Sequence, residues 1–244
     1  MPVIGHRRYV ARVAGGPGDL AAAQALRGAA FGLSGPDRDP FDARCTHILI
    51  EDRREDRLVA CFRLADLRGG EVDRGYTAQF YDLSRLAAAP DLMTELGRFC
   101  IQPAARDPDI LRTAWGAIAA HVDASGTRLL FGCTSFRGTD PAPHRAAFAA
   151  LAAGHLAPGD WAPGRRARHT LPLTPAPHDA HAARAGMPPL LRSYLGMGGR
   201  IGDHAVIDPE LRTIHVFTGL EIAAIPAARK ARLRAALDGA RTAR

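Results

Sequence analysis

Glu95 stands near the start of TELGRFCIQP (94–103), a carboxylate in an otherwise apolar, strand-like run. Withdrawn from water, such a carboxyl has a raised pKa and suits removal of a proton from an amine, directly or through water. The alternative is a structural ion pair with Arg98 or Arg63. Regular strand geometry sets Glu95 and Gly97 on one face and Arg98 on the other. A bulge at Gly97 would re-aim Arg98 and leave a backbone N–H free to meet a developing oxyanion. Arg63, in LVACFRL (58–64), shares a strand face with Val59 and Cys61 and is therefore expected to be buried and paired, with Asp39 or Asp42 as partner. Such a cluster either binds the charged ends of a small acceptor or pins the preceding loop to the sheet.

Other reactive side chains offer less. Cys45, Cys61, Cys100 and Cys133 are dispersed in apolar, strand-like settings, and none forms a CxxC pair. Without an activating histidine nearby they read as reduced core residues. Ser135 in FGCTSF is not in a GxSxG elbow. His178 and His181 form an HxxH pair in a Pro-rich loop without a third ligand, and GMGGRIG lacks the strand, helix and acidic residue of a dinucleotide site.

The elements that must hold these residues follow from pattern. Residues 6–13 read as a first strand, GGPGD as a turn, and Leu20–Phe31 as a helix with Arg27 and Phe31 on one face. A Gly/Pro/Asp-rich loop (32–44) leads to two hairpin-like strands, CTHILIED and DRLVACFRL, around the charged turn RREDR. After TELGRFCIQP, Asp107 is expected to cap a helix with Pro108 at its first position and Ile110, Leu111, Ala114, Trp115, Ile118 and Val122 along one stripe. TRLLFGCTSF is the next strand, so strand, helix, strand implies parallel pairing through a crossover. Residues 137–192 alternate short helical pieces with Pro- and Arg-rich loops, as in a cap over a site. GGRIGDHAVID and RTIHVFTG are short strands, and IPAARKARLRAAL is a terminal helix.

The chain has 244 residues with 47% hydrophobic and 23% charged side chains, room for one large soluble domain. Its net charge of +7 is almost all arginine, Lys230 being the sole lysine. Such a surface attracts anionic partners: nucleic acid, an acidic carrier protein or a phospholipid surface. Nucleic-acid motifs are missing, so nucleic acid is not expected. No signal-peptide h-region and no run of 18 apolar residues occurs, so a cytoplasmic protein is expected. From Pro226 to Arg244, Arg229, Lys230, Arg232, Arg234, Arg241 and Arg244 face only Asp238. That segment reads either as a solvated helix or as a contact with the inner face of the membrane.

Between the TELGRFCIQP strand and the following helix, AARDPD (104–109) forms a natural anion site at a helix N-terminus, to which Arg106 adds a charge-assisted phosphate contact. Acetyltransferases of the GNAT type hold coenzyme A at this place, with a glycine-rich Q/RxxGxG/A loop that is missing here. A thinner phosphate contact suits the phosphopantetheine of a carrier protein.

LRGAAF (26–31), RDPFDARCTHILI (38–50), LVACFRL, YDLSRL (81–86), ELGRFCIQP (95–103), FGCTSFRGTD (131–140), PPLLRSYLGMGGRIGDHAVID (188–208) and HVF (215–217) resemble, in order, the blocks of the ornithine-acyl carrier protein N-acyltransferases. The first half also resembles the acyl-homoserine lactone synthases, which share the fold and the acyl carrier protein donor. Arg27, Phe31, Asp39, Asp42, Arg63, Glu95 and Arg98 match residues these families share. Gly32-Leu33-Ser34 and Thr46 depart from the acidic residues and tryptophan common in relatives.

The resemblance implies an α/β, GNAT-like mixed central sheet flanked by helices with a C-terminal cap or extension, one domain over 1–244 with 137–192 inserted as a cap. It implies transfer of a 3-hydroxyacyl chain from acyl carrier protein to the α-amino group of L-ornithine, giving lyso-ornithine lipid by direct aminolysis of the thioester. Glu95, Arg98 and Arg63 are then catalytic, while Arg27, Phe31, Asp39 and Asp42 bind the acceptor. Arg106, Asp109 and Ser135 bind the donor's phosphopantetheine. No metal or redox cofactor is implied. The rival expectations are another acceptor such as glutamine, acyl-homoserine lactone synthesis, and a noncatalytic protein that binds acyl carrier protein or membrane.

Overall fold

The computed structural model describes residues 4, 5 and 8–238. Along them run β1 (Ile4–Gly5), β2 (Tyr9–Val13), α1 (Pro17–Phe31), β3 (Thr46–Asp52), β4 (Arg57–Arg68), β5 (Tyr81–Asp82), α2 (Ser84–Ala87), β6 (Leu92–Ile101) and α3 (Pro108–Ser125). There follow β7 (Leu129–Arg137), α4 (Arg145–Gly154), β8 (Gly164–Arg165), β9 (Thr170–Pro172), α5 (Ala180–Gly186), α6 (Pro189–Gly196), β10 (Arg200–Asp208), β11 (Thr213–Glu221) and α7 (Ala227–Asp238). His6 and Arg7 of the expected first strand, and Arg241 and Arg244 of the basic terminus, lie outside the described residues.

The chain divides into two compact units, one of residues 1–66, 96–127 and 226–244, the other of 67–95 and 128–225. In the first unit β1, β2, β3 and β4 follow one another as antiparallel neighbours, with β6 beside β4. Helix α1 buries Ala23 and Leu26 against Leu49, Cys61 and Cys100. Ile48 and Ile50 alternate with Leu49 and so face the other side of the sheet. Helix α3 lies against β2, β3 and α7.

Both helices obey local rules. Asp107 caps α3 by accepting from the Asp109 N–H at 2.9 Å, with Pro108 in the first turn. Helix α1 begins at Pro17, earlier than expected, because proline's fixed φ suits a first turn and Asp19 adds a favourable acid there. It ends at Gly32, whose φ of 69° is the left-handed C-cap glycine adopts without strain.

The second unit carries the expected parallel pairing: Met93, Thr94 and Glu95 of β6 match Leu129, Leu130 and Phe131 of β7. Beyond β7 the strands β11, β10 and β9 are antiparallel, so parallel and antiparallel pairing mix here. One face packs Phe136, Ile201, Ala205, Ile214 and Val216 against Phe148, Leu151 and Leu191 from α4 and α6. Helices α4 and α6 of the 137–192 stretch thus contribute to this unit's core. The other face packs Phe131 and Phe217 against Val72, Tyr81, Leu86 and Trp161, from residues 67–89 and the stretch before β8.

Candidate active site

Three arginines and three aspartates interlock in the first unit. Arg27, 1% exposed, reaches back from α1 to the loop after it: Nε donates to Asp37 Oδ2 at 2.8 Å, Nη1 to Asp42 Oδ1 at 2.8 Å and Nη2 to Asp42 Oδ2 at 2.9 Å. Arg63, 2% exposed on β4, donates to both expected partners, Asp39 Oδ1 and Asp42 Oδ1, each at 2.6 Å. From β6, Arg98 pairs with Asp37 at 2.7 Å and Asp39 at 2.9 Å. Gln24 Nε2 adds a donor to Asp42 at 2.9 Å, and His47 Nε2 lies 3.0 Å from the Asp42 carbonyl oxygen. The aromatic rims are Phe31, with the Arg98 Cζ 5.8 Å from its ring centre, and Phe41, with the Arg63 Cζ at 5.9 Å.

Burial alone would push the Asp42 carboxyl up. Hydrogen bonds from Arg27, Gln24 and Arg63 and the charge of Arg27 outweigh it, holding the group well below the usual carboxylate range. Asp39 is likewise lowered, burial being outweighed by the Arg63 hydrogen bond and charge. Carboxylates held this way accept no proton near neutral pH. With three guanidinium charges facing three carboxylates, the arrangement fastens loop 32–45 to α1, β4 and β6.

Strand β6 is irregular where a bulge was expected, but the irregular residue is Arg98, with φ 51°, not Gly97. A left-handed non-glycine residue costs roughly 1–2 kcal/mol and persists only where its surroundings hold it. Here the Asp37 and Asp39 pairs do so. A side chain at Gly97 would have its Cβ 3.4 Å from Arg63 Nε, so the glycine gives that arginine room to lie across the strand.

In the second unit Glu95, 5% exposed, accepts from two successive backbone donors, Tyr76 N to Oε2 at 2.9 Å and Thr77 N to Oε1 at 2.6 Å. Thr77 is tied in turn to β7 by Cys133 Sγ at 3.7 Å from its hydroxyl. Tyr81, wholly buried, donates to the His215 carbonyl oxygen at 3.0 Å and stands 3.2 Å from His215 Nδ1. Ser135 is half-buried on β7, opposite His215.

At the α3 N-terminus Arg106 is exposed. Asp109 spends its N–H on the Asp107 carboxylate, while its own carboxylate is paired with Arg112. The helix N-terminus therefore already holds carboxylates of its own. All four cysteines are free thiols, as expected, but Cys45 is half-buried in a loop just before β3. Burial raises the Cys61 thiol to about 12 and pushes Cys100 higher still. Among the described residues no three His, Cys, Asp or Glu side chains are grouped to hold a metal ion, and no helix is long and apolar enough to cross a membrane.

The sequence reading missed Asp37, which bridges Arg27 and Arg98, and the supporting Gln24 and His47. Their one signal was arithmetic, since Arg27, Arg63 and Arg98 carry three positive charges and Asp39 and Asp42 supply two negative ones. It also missed the backbone partners of Glu95, which no residue type marks.

Residues 24–116 match the acetyltransferase (GNAT) domain model, a span that includes the arginine–aspartate cluster and Glu95. The chain is 34% identical over 227 residues to the L-ornithine N(alpha)-acyltransferase of Rhodobacter capsulatus, covering 85% of this chain and 88% of that protein. It is 33% identical over 197 residues to the enzyme of the same name from Brucella abortus, 76% and 70% being covered. Among solved structures, FeeM, an N-acyl amino acid synthase from uncultured soil microbes, superposes with a TM-score of 0.53 at 10% identity over 88% of this chain and 93% of that one, a likeness of fold. The chain is an acyltransferase with a GNAT-like fold and belongs to the L-ornithine N(alpha)-acyltransferase family.

Proposed function

We propose that this protein moves a 3-hydroxyacyl chain from the phosphopantetheine thioester of an acyl carrier protein to the α-amino group of L-ornithine, giving lyso-ornithine lipid. The observation that carries the acceptor is the 34% identity to an L-ornithine N(alpha)-acyltransferase across 85% of the chain. The donor rests on the α3 N-terminus. Asp107 and Asp109 place negative charge where a coenzyme A diphosphate would need bare N–H groups, which leaves exposed Arg106 to meet a single phosphate.

The chemistry is direct aminolysis. The amine nitrogen bonds to the thioester carbonyl carbon, the C–S bond breaks, and the carrier thiol leaves with a proton. Glu95 takes the amine's proton, directly or through water, because each of its oxygens accepts one backbone N–H and keeps lone pairs to spare. Backbone N–H groups near the left-handed turn at Arg98 stabilise the oxyanion. The parallel ladder ends at Glu95–Phe131 while β7 continues to Arg137, so the β7 edge from Gly132 through Ser135 can pair with an extended pantetheine arm. The buried ion pairs of Arg27, Arg63 and Arg98 hold the loop whose rim residues Phe31 and Asp39 receive ornithine. The reaction takes place in the cytoplasm, with Arg229, Lys230 and Arg232 of α7 turned to the inner face of the membrane, and no metal or redox cofactor takes part.

The test is a substrate panel. Purified protein is given 3-hydroxyacyl carrier protein or 3-hydroxyacyl coenzyme A, with ornithine, glutamine or S-adenosylmethionine, and products are weighed by mass spectrometry. Acyl-ornithine formed from the carrier protein in preference to coenzyme A supports the proposal. Acyl-glutamine, an acyl lactone, or carrier binding without product contradicts it.

A further inference from the structure

Gly75 ends the short helical turn Gly69–Arg74 with φ −73° and ψ 163°, backbone angles open to any L-residue. Conformation therefore does not call for glycine here. Space does: a Cβ on Gly75 would lie 2.9 Å from Glu95 Oε2 and 3.1 Å from Leu67 Cδ1. The next two residues are the ones whose N–H groups bind the Glu95 oxygens at 2.9 and 2.6 Å. Because the donors are consecutive and go to different oxygens, they set the plane of the carboxylate as well as its place. Thr77 is wholly buried and anchored through Cys133, so the donors cannot easily retreat from an added methyl group. The crowding would fall on the carboxylate.

We propose that Gly75 is a positioning residue for acyl transfer, whose missing side chain lets the Glu95 carboxylate seat on the Tyr76 and Thr77 N–H groups in the orientation that receives the amine's proton. This inference rests on the reading of Glu95 as the base. It predicts that Gly75 acts through Glu95 alone, and that the amine step, not donor binding, registers the change.

The experiment compares Gly75→Ala, Glu95→Asp and the double variant. Gly75→Ala is expected to lower kcat roughly tenfold, since sub-ångström misplacement of a reacting group is costly, while KM for the acyl carrier protein stays within about twofold of wild type. Aspartate, one methylene shorter, withdraws the carboxylate from the new Cβ. The double variant should therefore lose less than the product of the two single losses. Thr77 amide exchange supplies a readout that leaves Gly75 intact: it should quicken roughly tenfold or more in Glu95→Ala as one protecting acceptor disappears. A wild-type kcat in Gly75→Ala, multiplying losses in the double variant, or unchanged Thr77 exchange would each overturn the inference. Failure of the wild-type protein to acylate any amine would overturn the functional reading instead.

Discussion

Arg27 grips Asp42 with both prongs of its guanidinium, Nη1 to Oδ1 at 2.8 Å and Nη2 to Oδ2 at 2.9 Å, where neither residue meets solvent to any extent. A pair of this kind is costly to make and more costly to halve. Asp42→Asn leaves Arg27 and Arg63 short of a negative charge in the interior and should cost about 3–5 kcal/mol. Urea unfolding measures it, and a loss below about 1 kcal/mol would show that the cluster does not fasten the loop.

The same carboxylates make stability depend on pH. Asp39 and Asp42 are held below their ordinary value in the folded protein. Their contribution is fully present above the unfolded value of about 3.9, and it declines as pH falls below that toward the folded values, because the unfolded chain takes up protons first. Unfolding free energies of wild type and Asp39→Asn should differ by the same amount at pH 7 and 5, and by less at pH 3. A gap that widens on acidification would contradict this assignment.

At Arg98 the backbone supplies a signed test. Arg98→Ala and Arg98→Gly remove the same ion pairs, but only glycine is relaxed at φ 51°. In a regular strand glycine would be the worse choice by about 0.5–1 kcal/mol. Here Arg98→Gly should be the more stable of the two by roughly 1 kcal/mol, read from denaturant midpoints. The opposite order would mean that the residue is not held in the left-handed region.

Direct aminolysis also predicts what is dispensable. Burial has pushed the Cys61 and Cys100 thiols far above neutral pH, so neither is a nucleophile. Both should resist a thiol reagent at pH 8 in the folded protein, and Cys100→Ala should keep kcat within a few-fold of wild type. Loss of all turnover with the fold intact would point to an acyl-enzyme step.

How far the site was legible in the sequence varies with what each residue answers to. Helix α3 and its Asp107 cap obey local rules and were read correctly, as was the parallel β6–β7 pair that follows from strand, helix, strand order. Burial of Arg63 could be read from strand alternation, and its aspartate partners from the loop preceding β3. Asp37 could not, because the 32–45 loop has no periodicity and its folding is set by tertiary ion pairs. The irregularity of β6 was placed at Gly97 on glycine's conformational freedom, yet it falls at Arg98, where side-chain pairing outweighs backbone preference. The backbone amides on Glu95 and the space at Gly75 exist only once residues 67–95 have folded.

Acyl transfer to the α-amino group of ornithine shows itself in the bond that forms. Wild-type protein incubated with 3-hydroxyacyl carrier protein and L-ornithine should release free carrier thiol and one amide, which fragmentation in the mass spectrometer places on the α-nitrogen. Glu95→Gln should form the same product at least tenfold more slowly. An amide on the δ-nitrogen, no amide at all, or undiminished turnover by Glu95→Gln would mean that the protein does not acylate the α-amine with Glu95 as base.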